Sequence, residues 1–172
     1  MKLYRNKIPA IAHDVLEVLI VDNDIEIEPA KRPEAEKDLV AILEEFQRRD
    51  NDFRNLVRDD MAARQIPYDQ YGTIRKQLAE QMDHPLGEDV ERFLCRQFVE
   101  NMMISQFVEE VFEEDKVIYR KVMGVLRSHD VDEREIRDEA LTKIKNVKEG
   151  TVDYEIALQA AMRDVKKRRG LL

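Results

Sequence analysis

Apolar residues recur at helical spacing along nearly all of this chain, and only five Gly and five Pro interrupt them in 172 residues. An amphipathic helix needs an apolar residue every three or four positions, so that one stripe faces a core. A protein built from sheets needs many tight turns, which Gly and Pro supply most easily. The shortage of both points to an all-α fold.

The stripes place the helices. Ile8, Ile11, Val15, Val18 and Leu19 predict a first helix over 7–21, with Pro9 tolerated in its first turn. The segment 21–29 alternates briefly and reads as a linker with an extended stretch. Pro33 opens a second helix that ends near Arg49, with Leu39, Ile42, Leu43 and Phe46 inward. Asp52 caps a third, carrying Phe53, Leu56, Val57 and Met61, and a fourth carries Tyr71, Ile74, Leu78 and Met82. The turn His84-Pro85-Leu86-Gly87 lies near the midpoint and marks the main boundary. Beyond it, helices are expected over 88–112, 116–128 and from a cap at Asp132 to Lys145. Gly150 would stop the last of these, and Thr151 would cap a final helix burying Tyr154, Leu158, Ala161, Met162 and Val165.

The halves 1–87 and 88–172 resemble each other. RRDNDFRNLVRDDM (48–61) parallels SHDVDEREIRDEAL (128–141), and 70–87 parallels 153–170, with Tyr71 against Tyr154 and Gly87 against Gly170. The expectation is a tandem duplication giving about eight helices in one compact body.

Three stretches carry a family resemblance: YDQYGTIRKQLAEQMDHPLGEDVERF, VEEVFEEDKVIYRKV and IKNVKEGTVDYEIALQAAMRDVKKRRG. They resemble a bacterial family known as domain of unknown function 507, as two copies in tandem. Tyr154 stands where that family more often has Trp. The resemblance implies a helical fold and supplies no catalytic residue.

The residues themselves give catalysis little. A di-metal helical bundle uses Glu-x-x-His, but Ala10, Gln81 and Leu126 stand three positions before His13, His84 and His129. Asp22-Asn23-Asp24 hints at a calcium loop, yet Ile27 and Pro33 fill the positions that need Gly and Glu. No cofactor or metal is expected. Ser128-His129-Asp130 reads as a helix boundary, since adjacent residues do not generally converge as a triad. The single Cys95 reads as packing, with Arg96 beside it as the one hint of a reactive thiol. One Cys and an N-terminus broken by His13, Asp14 and Glu17 predict a cytosolic chain without a signal peptide.

The segment 93–107 is apolar far around the helix. Phe93, Phe98, Val99, Met103 and Phe107 are therefore expected at the junction of the halves or a homodimer seam. Gln97, Asn101 and Ser105 stand at i, i+4, i+8 and form a polar ridge there, either fixing helix register or lining a small pocket. Lys166, Lys167, Arg168 and Arg169 form the one dense basic run. It suits a helix C-terminus or, alternatively, phosphate contact with RNA, DNA or an anionic membrane. The net charge of −8 disfavours general nucleic-acid binding. The functional expectation is a non-catalytic interaction or scaffold protein with a protein partner. Nucleic-acid association through the C-terminus comes second, and a small-molecule-binding protein or enzyme third.

Overall fold

The computed structural model describes residues 1–144 and 152–172. Lys145, Gly150 and Thr151, where the sequence suggests a helix end, a stop and a cap, lie outside the described residues. The chain is mostly helical and separates into two compact units. The larger holds Met1 and residues 8–129, and the smaller holds residues 2–7 and 130–172. The His84–Gly87 turn, expected as the main boundary, lies inside the larger unit.

In the larger unit, α1 (Ile8–Val21) and α2 (Arg32–Ala63) pack together, and α3 (Tyr71–Gln81) folds back on α2. Then α4 (Glu88–Ile104) packs on α2 and on α5 (Asp115–Ser128), which also contacts α1. Each helix buries one stripe: Ile11, Val15 and Leu19 on α1, Leu39 and Leu43 on α2, Leu94 and Phe98 on α4, and Ile118, Val122 and Leu126 on α5. A second cluster of Phe53, Val57, Met61, Ile74 and Ala79 joins the far end of α2 to α3. Met82, expected in that core, lies past the end of α3 and is 53% exposed.

Three expectations need correction. The two helices separated around Asp50–Asp52 are one helix, α2. Its buried stripe, Leu39-Leu43-Phe46, continues to Phe53-Val57-Met61 with no change of phase, and Asp50 occupies the intervening stripe position. There Asp50 is paired with Arg54 at 2.5 Å and lies 3.3 Å from His84 Nε2, so the acid is satisfied in place and does not stop the helix. The helix expected over 88–112 stops at Ile104, where Ser105 adopts an extended conformation and its Oγ accepts from the Phe107 amide at 3.2 Å. The released chain forms β2 (Glu110–Val111), antiparallel to β1 (Ile25–Glu26), so the fold is not purely helical. This pairing joins segments far apart in sequence, which local helical patterning does not register.

Scarce glycine is offset at the helix ends. Asn23, Gln65 and Asp83 take left-handed φ values of 57°, 53° and 49° just after α1, α2 and α3. Each is followed by an amide that reaches back five residues: Asp24 to Leu19, Ile66 to Met61 and His84 to Ala79. These are Schellman-type stops built without Gly. Gly87, at φ +59°, instead precedes α4. It therefore does not match Gly170 in role, as the alignment of the halves suggested; Asp83 does.

In the smaller unit, α6 (Glu133–Leu141) packs on α7 (Val152–Arg168). Asp132 caps α6 as expected, its side chain accepting from the Arg134 amide at 2.7 Å. Ile136, Ala140, Leu158, Val165 and Leu171 form the core together with Tyr4 from the opposite end of the chain. Gly170, at φ +66°, ends α7, with the Gly170 and Leu171 amides bonded to the Lys167 and Lys166 carbonyls.

Candidate functional site

The basic run at the end of α7 is largely spent inside its own unit. Lys166 pairs with Glu133 at 3.0 Å, Arg168 with Glu139, and Arg169 with Glu139 at 2.8 Å and Glu135 at 3.5 Å. Hydrogen bonds from Arg169, and then Arg168, hold the Glu139 carboxyl below its usual range. This ion pairing is present at neutral pH and is lost as pH falls through that lowered value. Lys167 is exposed and makes no ion pair with a described residue.

The polar ridge divides. Gln97 donates to Glu100 at 3.0 Å, whereas Ser105, past the helix end, lies 3.4 Å from Asp38. Asn101 and Ser105 line a cavity of about 510 Å³ with Asp38 and Phe107, and Gln97 does not reach it. All three are half-buried, so the ridge is not a buried one. The expected interface set divides too. Phe98 is fully buried, Val99 is buried, Phe93 and Phe107 are half-buried, and Met103 is 45% exposed.

Other chemical candidates are accounted for by local bonding. Burial, followed by the nearby Glu91, pushes the Cys95 thiol up to about 12. It therefore stays protonated at neutral pH and is no nucleophile there. Ser128 donates to the Val125 carbonyl, His129 pairs with Asp14 at 2.7 Å, and Asp130 accepts from the Val131 amide. Asp22 and Asp24, the hint of a calcium loop, both hold Lys121, at 2.7 and 2.6 Å. Among the described residues no cluster of three His, Cys, Asp or Glu could hold a metal ion, and no helix is long and apolar enough to cross a membrane.

A surface cleft of about 700 Å³ lies in the larger unit, lined by residues of α2, α3, α4 and α5. On α4, Asp89, Arg92, Phe93 and Arg96 stand at i, i+3, i+4 and i+7 and face it together. Arg49 enters from α2, Lys76 from α3 and Tyr119 from α5. The Phe93 ring lies 5.7 Å from that of Phe46, and the Arg49 guanidinium lies 5.7 Å over Phe93. His84 forms part of the wall, its ring 4.1 Å from that of Phe53. Arg92 is bound to Asp89 at 2.9 Å, but Arg49, Lys76 and Arg96 form no ion pair with any described residue. Arg96 and Tyr119 also border a second cavity of about 730 Å³, which includes Val99, Lys116 and Arg120.

Of these residues only Phe93 and Val99 are expected at an interface from the sequence. A basic-aromatic face on α4 was open to detection from the spacing of Arg92, Phe93 and Arg96. Its meeting with Arg49, Lys76 and Tyr119 depends on three other helices and leaves no local pattern.

One family model covers this whole arrangement, matching residues 1–171. The chain belongs to the DUF507 family. That family is described as proteins of unknown function, and its match is a single span over both halves. Among curated proteins none matches the chain. In this DUF507 member the closing KKRRG run is the stop of α7, which gives its basic residues and its Gly a structural role.

Proposed function

We propose that the chain is a non-catalytic cytosolic interaction protein that presents a helical surface to a protein partner. The cleft along α4 carries this reading: Arg49, Lys76 and Arg96 stand there without an ion-pair partner among the described residues, beside Phe93 and Tyr119. Arginine and aromatic side chains are the groups that most often supply binding energy at protein interfaces. The nucleic-acid alternative ranks behind it, because Lys166, Arg168 and Arg169 already hold carboxylates. The small-molecule alternative ranks third, with a protonated thiol at Cys95 and no convergent nucleophile and base at Ser128-His129-Asp130.

Affinity capture from lysate, with and without nuclease, separates these readings. A stoichiometric protein retained after nuclease, and lost with Arg49→Glu plus Arg96→Glu, is the expected result. Salt-sensitive nucleic acid alone, lost when Lys166–Arg169 are neutralised, would replace it with the second reading. A co-purifying metabolite in place of a protein would favour the third.

We also propose that the chain arose by tandem duplication. The order helix, strand, helix, helix runs through α1, β1, α2 and α3, and again through α4, β2, α5, α6 and α7, if α5 and α6 correspond to the two ends of α2. The packing is reciprocal: α1 meets α2 and α5, while α4 meets α5 and α2. The antiparallel pairing Ile25↔Val111 and Glu26↔Glu110 is compatible with a twofold relation between the copies. On this reading the isolated segment 1–87 should self-associate, a second copy of α2 standing in for α5. A folded monomer of that segment in sedimentation would count against the idea.

A further inference from the structure

We propose that the two cavities along α4 form one groove for an extended acidic–apolar peptide segment, with carboxylates on Arg49, Lys76 and Arg96 and an apolar side chain over Val99 and Tyr119. This rests on the interaction reading above and adds the chemistry of the partner.

The cavities, of about 700 and 730 Å³, share Arg96 and Tyr119 and so adjoin each other along α4. From Asp89 to Glu100, the α4 residues that bound them, the helix axis advances about 16 Å. An extended peptide covers that length in about five residues.

Charge chooses the class of ligand. The first cavity holds three cations that have no ion pair with a described residue, on a chain of net charge −8. Arg48 and Lys121, in the same unit, are by contrast each held by two carboxylates. The Arg49 guanidinium lies over the Phe93 ring, and Phe93 in turn lies against Phe46, so less freedom is lost when a carboxylate docks. Glu80, Asp83 and Asp89 border the same cavity. They repel the unbroken negative charge of a nucleic-acid strand, whereas a peptide offers them amide N–H donors between its acidic side chains. The second cavity changes character: Val99 and Tyr119 supply apolar surface, bordered by Lys116 and Arg120 and by Glu100 and Asp115.

Fluorescence anisotropy on the full chain tests this. Labelled peptides of about eight residues, pairing two Glu with a Leu two or three positions later, are compared with Lys-for-Glu and Gly-for-Leu controls and with a single-stranded oligonucleotide. The Glu peptides should bind, and more weakly as salt is raised. Replacing Leu by Gly should weaken binding roughly tenfold. The variant Arg49→Glu plus Arg96→Glu should reverse the preference toward the Lys peptides, a result that mere loss of folding cannot produce. Equal binding of Glu and Lys peptides, an unchanged preference in the variant, or tighter binding of the oligonucleotide than of every peptide would overturn the proposal. Absence of peptide binding while a nuclease-resistant protein partner is still captured overturns the peptide chemistry alone. Absence of both overturns the interaction reading with it.

Discussion

Replacing Phe98 by Asp should abolish the folded state of the larger unit. Phe98 is fully buried on α4, the helix that packs against both α2 and α5. The substitution removes a ring whose burial is worth about 1.5–3 kcal/mol and leaves a carboxylate without a partner, at a further cost of several kcal/mol. Together these reach the total stability of about 5–15 kcal/mol that an ordinary domain possesses. Phe98→Ala gives the graded version, with an expected loss of about 3–5 kcal/mol. Urea unfolding followed by circular dichroism reads both. A Phe98→Asp protein with an unchanged midpoint would show that α4 is not a central packing element.

The second large effect is expected at the other end of the chain, from Tyr4→Ala. Tyr4 is 5% exposed and completes the core made by Ile136, Leu158 and Val165. Its hydroxyl donates to Glu133, which also pairs with Lys2 at 3.2 Å and Lys166 at 3.0 Å. Removing the ring should cost the smaller unit about 3–5 kcal/mol, a serious fraction for so small a core. Tyr4→Phe keeps the ring and loses only a hydrogen bond to a charged group, so about 1.5–3 kcal/mol is expected. Hydrogen exchange at the amides of α6 and α7 reports the loss directly. If protection there is the same in Tyr4→Ala as in the parent, residues 2–7 do not belong to this unit's core.

The sequence made the helices legible, and the starts of α1, α2, α5 and α6 came within a residue or two. Periodicity recovered most of the buried stripes, including Leu39, Leu43 and Phe46 on α2 and Ile136 and Ala140 on α6. The break expected in α2 shows where the reading failed. Asp50-Asn51-Asp52 are good capping residues in isolation, and the distant His84 joins the i,i+4 pair with Arg54 in holding Asp50 inside a helix. The candidate site was less legible. The dense basic run drew attention because charge density is visible in one dimension, and it proved to be tied to α6. The cations of the cleft are dispersed along the chain, with Arg49, Lys76 and Arg96 on three different helices, and form no run that marks a shared site.

By itself, then, the sequence determined which segments are helical and which face of each is apolar, because both depend on neighbours three or four residues away. Tertiary structure decided the rest. It ended α4 at Ile104 so that β2 could meet β1, and it brought Tyr4 to the core of α6 and α7. It also determined which cations found carboxylates and which were left facing a groove. Each of these outcomes depends on two or more segments distant in sequence meeting in space, and the energy of such a meeting belongs to the pair of surfaces rather than to either segment alone.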